Sequence, residues 1–356
     1  MKLYFYHGQD VGMILSEWQQ MRYPGHLLYG ATHLPQHGLD IIPHLYGPQK
    51  PSDRWKLTWR NAWHIWKRRK EFDAVYATAF RGLEVLIFMR ALGLFRKPIY
   101  LWHHQPIRKA KNLVREAIAR LFYRGMDRLF FFSQPIMDES LKSPKADAAR
   151  MTLIHWGPDL AFYDHILRQR TGEQAGFITT GKELRDLPTL LQAFSQARHP
   201  LDMYINPSNG GLDYANILAQ SSIPENIHIH EINRLMIGEL AKTVAQAKCV
   251  VICCLRANYT VGLTTLMEAL ALGLPVVCTK NPTFPFDIDA EGVGITVAHG
   301  DVEGWVRAIN YIASHPAEAE VMGQRGRRLA ETTFNLPQMA AEIAKAINAD
   351  LEKRRK

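Results

Sequence analysis

The run Val250-Val251-Ile252-Cys253-Cys254-Leu255, then Arg256-Ala257-Asn258-Tyr259-Thr260-Val261-Gly262, then Leu263-Thr264-Thr265-Leu266-Met267-Glu268-Ala269-Leu270-Ala271-Leu272-Gly273-Leu274-Pro275-Val276-Val277 decides the fold. A continuous apolar run makes a strand buried on both faces, and a polar loop follows it. Gly262 opens a helix, Gly273 closes it, and Pro275 leads into the next strand. A helix start built from small residues lets backbone N–H groups approach a diphosphate, whose charge the helix dipole favours. Thr264 or Thr265 can add a hydroxyl. Glu268 follows Thr264 by one turn on the same face, where a carboxylate can accept two ribose hydroxyls. The same letters admit a structural reading, because Thr265-x-x-Glu268 also fits a capping box.

Outward from this stretch, short β-rich runs alternate with amphipathic helical stretches, the pattern of a parallel sheet wrapped by helices. Strands are predicted at Leu3–Tyr6, Asp40–Leu45, Ala74–Ala77, Ile99–Trp102, Leu129–Phe132 and Thr152–Ile154, with helices near 13–22, 54–70, 81–92, 108–124 and 135–141. The rhythm repeats with strands near 176–180, 201–205, 227–230, 249–254 and 275–278, and helices near 187–197, 212–219, 234–246, 263–272, 302–313 and 317–332. The polar segment around 158–174 reads as a boundary. The expected organisation is therefore a domain over 1–165, a second over 166–335, and a last helix over 336–356 that packs back on the first. Two Rossmann-like doubly wound domains would face each other across a cleft, with ligands at the carboxyl ends of the strands.

Composition narrows the chemistry. Hydrophobic residues make up 47% and charged residues 22% of 356, an ordinary globular balance. The apolar run Leu83–Phe95 is broken by Glu84 and Arg90 and falls short of the roughly 20 residues a membrane span needs. The N-terminus lacks the long apolar stretch of a signal peptide. Cys249, Cys253, Cys254 and Cys278 lack zinc-site spacing and read as buried thiols of a cytoplasmic protein. The net charge of +9 is one-sided. Residues 1–165 hold 24 Lys and Arg against 14 Asp and Glu, and residues 166–356 hold 19 against 20. Such asymmetry points to an anionic surface or ligand facing the first domain.

The segment Glu268-Ala269-Leu270-Ala271-Leu272-Gly273-Leu274-Pro275-Val276-Val277 resembles the family 4 group of retaining glycosyltransferases, whose fold is called GT-B. There a helix carries a Glu that grips the nucleotide ribose, followed by Glu-Ala-x-Ala-x-Gly-x-Pro-Val-Val. The resemblance implies a donor site at Gly262, Thr264, Thr265 and Glu268. It departs from the family's usual Glu-x7-Glu pair, because Thr260 stands where the first carboxylate would be; the chain looks like a divergent subgroup. Gly181-Lys182-Glu183-Leu184-Arg185-Asp186 looks like the family's post-strand loop, which implies that Gly181, Lys182 and Arg185 meet the donor diphosphate. The bland alternative makes both cations solvated, with Asp186 capping the next helix. His103-His104-Gln105-Pro106 follows a strand at the place where family members carry a histidine beside the reacting sugar. Counting from Pro98 favours His104, then His103. Gly8, after the first strand, would let the acceptor loop approach the donor. His155-Trp156-Gly157-Pro158-Asp159 is similar to the family's interdomain turn and is assigned a hinge role.

One signal is purely physical. Trp55, Trp59, Trp63 and Trp66 recur at helical spacing among Arg54, Lys56, Arg60 and Lys67-Arg68-Arg69-Lys70. Tryptophan beside Lys and Arg suits a helix lying on anionic lipid; alternatively the tryptophans pack on the sheet. No nucleic-acid motif accompanies the charge.

The expectation is thus a cytoplasmic glycosyltransferase, peripheral on the inner face of the plasma membrane through residues 54–70. It would use a UDP- or GDP-type donor and a glycan or lipid-linked acceptor. No cofactor or metal is expected, since cations and a helix dipole would neutralise the diphosphate. The rivals are a nucleotide-sugar epimerase on the same fold and a non-catalytic sugar-nucleotide-binding subunit.

Overall fold

The computed structural model describes residues 1–45, 54–206, 208–209, 212–232 and 237–355. The chain divides into two compact units, and each carries its own parallel sheet.

The first unit holds 1–19, 25–156 and 336–356. Its elements are β1 (Lys2–Tyr6), α1 (Val11–Gln19), β2 (Asp40–Pro43), α2 (Arg54–Lys67), β3 (Ala74–Ala77), α3 (Glu84–Ala91), β4 (Ile99–Trp102), α4 (Leu113–Arg124), β5 (Arg128–Phe131), α5 (Gln134–Leu141) and β6 (Met151–Leu153). All strand pairs are parallel, in the order β2-β1-β3-β4-β5-β6. Residues 3–6, 74–77 and 99–102 are buried throughout. Strands covered on both faces explain why they read as continuous apolar runs instead of alternating ones.

The second unit holds 20–24 and 157–335. Its elements are α6 (Leu160–Arg168), β7 (Phe177–Thr179), α7 (Leu187–Ala197), β8 (Leu201–Ile205), the short pair β9 (Ser208–Asn209) and β10 (Leu212–Asp213), α8 (Tyr214–Ala219), β11 (Ile227–Glu231), α9 (Ile237–Val244), β12 (Cys249–Ile252), α10 (Leu263–Ala271), β13 (Val276–Thr279), α11 (Ile288–Glu291), β14 (Gly294–Val297), α12 (Val302–Ser314) and α13 (Pro316–Thr332). The main sheet runs β11-β8-β7-β12-β13-β14. Counted within the unit this is 3-2-1-4-5-6, the doubly wound order, with its reversal between β7 and β12. Trp305, Phe194, Phe177 and Met203 lie in one buried hydrophobic cluster.

The chain crosses between units after Trp156 and returns after Asn335, and α14 (Leu336–Arg355) belongs to the first unit. There Asp350 takes two hydrogen bonds from Arg128 of β5, at 2.6 and 3.1 Å. Glu342 accepts from the backbone N–H of His155 at 2.9 Å and meets its ring at 2.8 Å.

Five elements went unread in the sequence: the short β9, β10 and α11, helix α6 and strand β14. Helix α6 lies inside the segment taken as a boundary, with Asp159 capping it and Phe162, Tyr163 and Ile166 buried. Strand β14 is only four residues and carries a glycine, which weakens its β signal. The expected start of α9 at 234 lies outside the described residues.

Candidate active site

In the second unit the carboxyl ends of β7 and β12 meet at the reversal of strand order, where ligands of doubly wound sheets bind. The loop after β7 is fastened to the loop after β12 along the backbone. The Leu255 N–H donates to the Leu184 carbonyl at 2.8 Å, and the Asp186 N–H donates to the Cys253 carbonyl at 3.0 Å. Tyr259 adds a side-chain tie to Glu183 at 2.7 Å. Helix α10 begins beside them at Gly262, in the left-handed region at φ 89° and with no side chain capping it. The Leu263 N–H donates to the Thr260 carbonyl at 3.0 Å, and the amides of Thr264 and Thr265 behind it form the positive end of the helix. A side chain at Gly262 would stand 2.7 Å from Ile252 Cγ2, so the position accepts glycine alone on both grounds.

Arg185 sits at the centre, 5% exposed. Its Nε and Nη2 donate to the Thr180 carbonyl at 3.0 and 2.9 Å, and Nη2 also donates to Thr265 Oγ1 at 3.1 Å. Nη1 donates to the Glu183 carbonyl at 3.2 Å and to Cys254 Sγ at 2.9 Å. A guanidinium has five N–H donors, and these contacts use all five on neutral acceptors and backbone. Arg185 is therefore neither solvated nor open to a phosphate in this arrangement. It braces β7, β12 and α10 while placing a buried positive charge under the site. Gly181 makes room for it: at φ 113°, a Cβ there would lie 2.0 Å from Arg185 Nη2. Thr265 is occupied by the same guanidinium and buried, whereas Thr264 is exposed. Lys182 is exposed and has no hydrogen-bond or ion-pair partner among the described residues. Asp186 caps α7, accepting from Thr189 N–H at 3.3 Å and Thr189 Oγ1 at 2.8 Å. The surface reading of this loop thus holds for Asp186 and fails for Arg185.

Glu268 is the sixth residue of α10, because the helix starts at Leu263. The capping-box reading requires Thr265 to precede the helix, and the structure puts it inside. The Glu268 carboxyl is 9% exposed and lies against the Tyr163 hydroxyl of α6, and burial pushes its pKa up to about 7. Thr260, the departure from the family pair, stays uncharged and half-buried near the helix start.

In the first unit strand order reverses between β1 and β3, so His7-Gly8 and Thr78 flank the switch point. His104 follows β4 and its Nε2 donates to the Thr78 carbonyl at 2.8 Å. His103 is different. It is buried among Phe131, Phe80 and Tyr123, with Nδ1 on the Gln105 carbonyl and Nε2 2.8 Å from the Tyr123 hydroxyl. Burial lowers its pKa to about 4, and both ring nitrogens are spent inside the unit. His103 thus lies in the core of its unit, with both ring nitrogens bonded inside it. Gly8 is exposed, and a Cβ built there meets nothing within 4 Å, so nothing in its own unit requires glycine.

Sequence reading missed His7 and Tyr29. Tyr29 is a non-glycine residue at φ 53°, a conformation bulky side chains rarely adopt. Its ring stands between His7 and His104, at centroid distances of 6.3 and 6.0 Å. Burial lowers the His7 pKa to about 4. A histidine at a strand end before glycine was the available signal; the contribution of Tyr29 from a loop carried none. Also passed over was Asp287-Ile288-Asp289, the Asp-x-Asp run of the sequence. Asp287 caps α11 and Asp289 accepts from Thr296, so both carboxylates are committed to local structure. Among the described residues, no group of three or more His, Cys, Asp or Glu is arranged to hold a metal.

On α2 the tryptophan question resolves. Thr58, Asn61, Ala62 and Ile65 face inward, with Thr58 Oγ1 accepting from Val85 N–H and Asn61 donating to the Gly82 carbonyl. The tryptophans lie on other faces. Trp55, Trp59 and Trp63 are 74%, 63% and 54% exposed, and Trp66 stacks on Trp63 at 5.6 Å. Lys67 lies over Trp63 and Arg69 over Trp66. No helix among the described residues is long and apolar enough to cross a membrane.

Residues 216–329 match the family described as Glycosyl transferases group 1. No curated protein matches the chain by sequence. Among solved structures, it is similar to Anabaena HepE in complex with UDP and glucose, at 16% identity and a TM-score of 0.69 over 98% of this chain and 100% of that one. Sucrose-phosphate synthase from Thermosynechococcus elongatus gives 15% and 0.71, over 99% of each chain. WaaG, a glycosyltransferase involved in lipopolysaccharide biosynthesis, gives 13% and 0.62, over 98% and 99%. Likeness at such identities establishes the fold, two Rossmann-like domains of the GT-B type.

Proposed function

We propose that this chain, whose residues 216–329 match the group 1 glycosyl transferases and whose fold is GT-B, moves a hexose from a UDP- or GDP-linked donor to a glycan or lipid-linked acceptor with retention of configuration. The observation that carries the reading is the convergence at the β7/β12 switch point. There the unpaired Lys182, the uncapped start of α10 and the buried Arg185 charge surround one place. A nucleoside diphosphate leaving group gathers negative charge as the sugar bond breaks, and fixed positive charge in a partly desolvated site stabilises that change. Lys182 is the cation able to reach the phosphates, and Arg185 acts beneath them as a brace and a field. Glu268 accepts the ribose hydroxyls, which favours its charged form over the neutral one that burial favours. The reading includes no metal, because these groups supply the positive charge. In the first unit His104 orients a hydroxyl of the reacting sugars, with Gly8 leaving the approach open.

The donor reading is supported by neighbours such as HepE, which is known in complex with UDP-glucose. The acceptor reading rests on α2, whose three exposed tryptophans and adjacent cations suit an anionic membrane surface in the cytoplasm. The test is nucleotide release from a panel of UDP- and GDP-sugars, with and without lipid-linked acceptors. Release that depends on acceptor supports transfer. Donor turnover without acceptor would support an epimerase, and donor binding with no turnover would support a non-catalytic subunit.

A further inference from the structure

Beside the donor cluster the second unit has another opening, on the far side of β12. Sheet order places β7 on one flank of β12 and β13 and β14 on the other. At the carboxyl ends of β12, β13 and β14 lies a cleft of about 440 Å³, lined by Cys254, Leu255 and Arg256, by Thr279, Lys280 and Asn281, and by His299. The donor loop is fastened to the β7 flank of Cys254, so Cys254 separates the two openings.

Three basic side chains converge on this cleft. The side chains of Arg256 and Lys280 have no hydrogen-bond or ion-pair partner among the described residues. Burial and the nearby Arg256 lower the His299 pKa, against an opposing pull from Asp186. The carboxylates in reach are engaged elsewhere: Asp186 caps α7, and Asp301 caps α12 while lying 3.9 Å from Arg307. Thr279 Oγ1 accepts from the Cys254 N–H at 2.9 Å, and Asn281 holds the Tyr259 carbonyl at 3.1 Å. The rim polar groups are thus spent on shaping the cleft, and the cations are left facing it. Unneutralised like charges around a concavity repel one another, a cost that an anion removes on binding.

We infer that this cleft, held by Arg256, Lys280 and His299, is a binding site for a phosphate group. Such a group carries about −1.5 to −2 charge at pH 7 and three acceptor oxygens, which matches two permanent cations and an imidazole better than a carboxylate does. The site is independent of the donor reading, since it needs neither Lys182 nor α10. The phosphate would belong either to a sugar phosphate or to free inorganic phosphate, and the chemistry of recognition is shared.

The experiment is calorimetric titration of the full chain, without nucleotide, with inorganic phosphate, a hexose 6-phosphate and glucuronate, repeated with Arg256→Ala and Lys280→Ala. Both side chains are exposed, so thermal unfolding should be unchanged, and UDP titration checks the donor site separately. Phosphate binding that weakens at least ten-fold in each variant while UDP affinity stays within two-fold supports the site. A hexose phosphate at least ten-fold tighter than inorganic phosphate assigns the group to a substrate; equal affinities assign it to free phosphate. Undetectable phosphate binding, binding indifferent to both substitutions, glucuronate binding tighter than either phosphate, or parallel loss of UDP binding would each overturn the inference.

Discussion

Replacing Glu268 by Gln removes a carboxyl that burial holds protonated into the neutral range. Its pKa moves from 4.5 in the unfolded chain to about 7 in the folded protein, with burial as the main cause and the Tyr163 hydroxyl opposing it. Between those values the folded state binds more protons than the unfolded one, so this group's stabilisation is complete below pH 4.5. It is lost as pH rises through 7. At 1.36 kcal/mol per unit, the shift corresponds to about 3 kcal/mol of stability present at pH 4.5 and gone by pH 8. The glutamine variant has nothing to ionise. Urea unfolding of both proteins at pH 5, 6, 7 and 8 should show the wild type losing ground to Glu268→Gln by that order of magnitude. Taking the difference cancels the other titrating groups. The same carboxyl couples to ligand. Ribose hydroxyls donate to the charged form, so UDP binding releases a proton from Glu268, and wild-type affinity gains on the variant as pH rises from 6 to 8. Calorimetry in two buffers of different ionisation enthalpy measures that release. A wild-type-minus-variant difference that stays flat with pH, in both unfolding and UDP binding, would refute the buried-carboxyl argument and the ribose role together.

Four further outcomes are expected. Lys182→Ala should lower turnover at least ten-fold with unchanged thermal stability, whereas Arg185→Ala should lower both, because the buried guanidinium holds five contacts; steady-state rates paired with thermal unfolding separate the two roles. Gly181→Ala should act like Arg185→Ala, since its Cβ would occupy the space of the guanidinium at 2.0 Å, and nucleotide affinity and stability should fall together. His103, with its pKa lowered to about 4, stabilises the fold above pH 6.5 and loses that contribution as pH falls toward 4; His103→Gln should lessen acid destabilisation by about 3 kcal/mol in urea unfolding at pH 7 and pH 4. In flotation, the protein should bind anionic vesicles more than neutral ones, lose part of that binding at high salt, and lose more when Trp55, Trp59 and Trp63 become Ala; equal recovery on both lipids, or on neither, would remove the membrane reading of α2.

The sequence by itself determined the strand–helix rhythm. Buried parallel strands are apolar at every position, as in residues 74–77 and 249–252, and helices announce themselves by spacing and by closers such as Gly273. It also held the run from Glu268 to Val277 that resembles the glycosyltransferase family, and the glycines at 181 and 262, because close approach to the backbone leaves a chemical mark on the residue type. It could not tell a paired cation from an unpaired one. Lys182 and Arg185 stand three residues apart in one loop, yet one is exposed and the other buried with every donor used. His103 and His104 are adjacent, yet alternation along the chain turns one into the core and the other toward Thr78. Which face of α2 turned inward was likewise undecided, since a tryptophan stripe suits a core as well as a surface. Burial on α2 went to Thr58, Asn61, Ala62 and Ile65, of which Thr58 hydrogen-bonds to Val85 and Asn61 to Gly82. Residue type and period are local properties that one strand or helix records along its length. Partnership depends on which distant loops, here 180–186, 253–259 and 262–268, the tertiary fold brings within hydrogen-bond reach of each other.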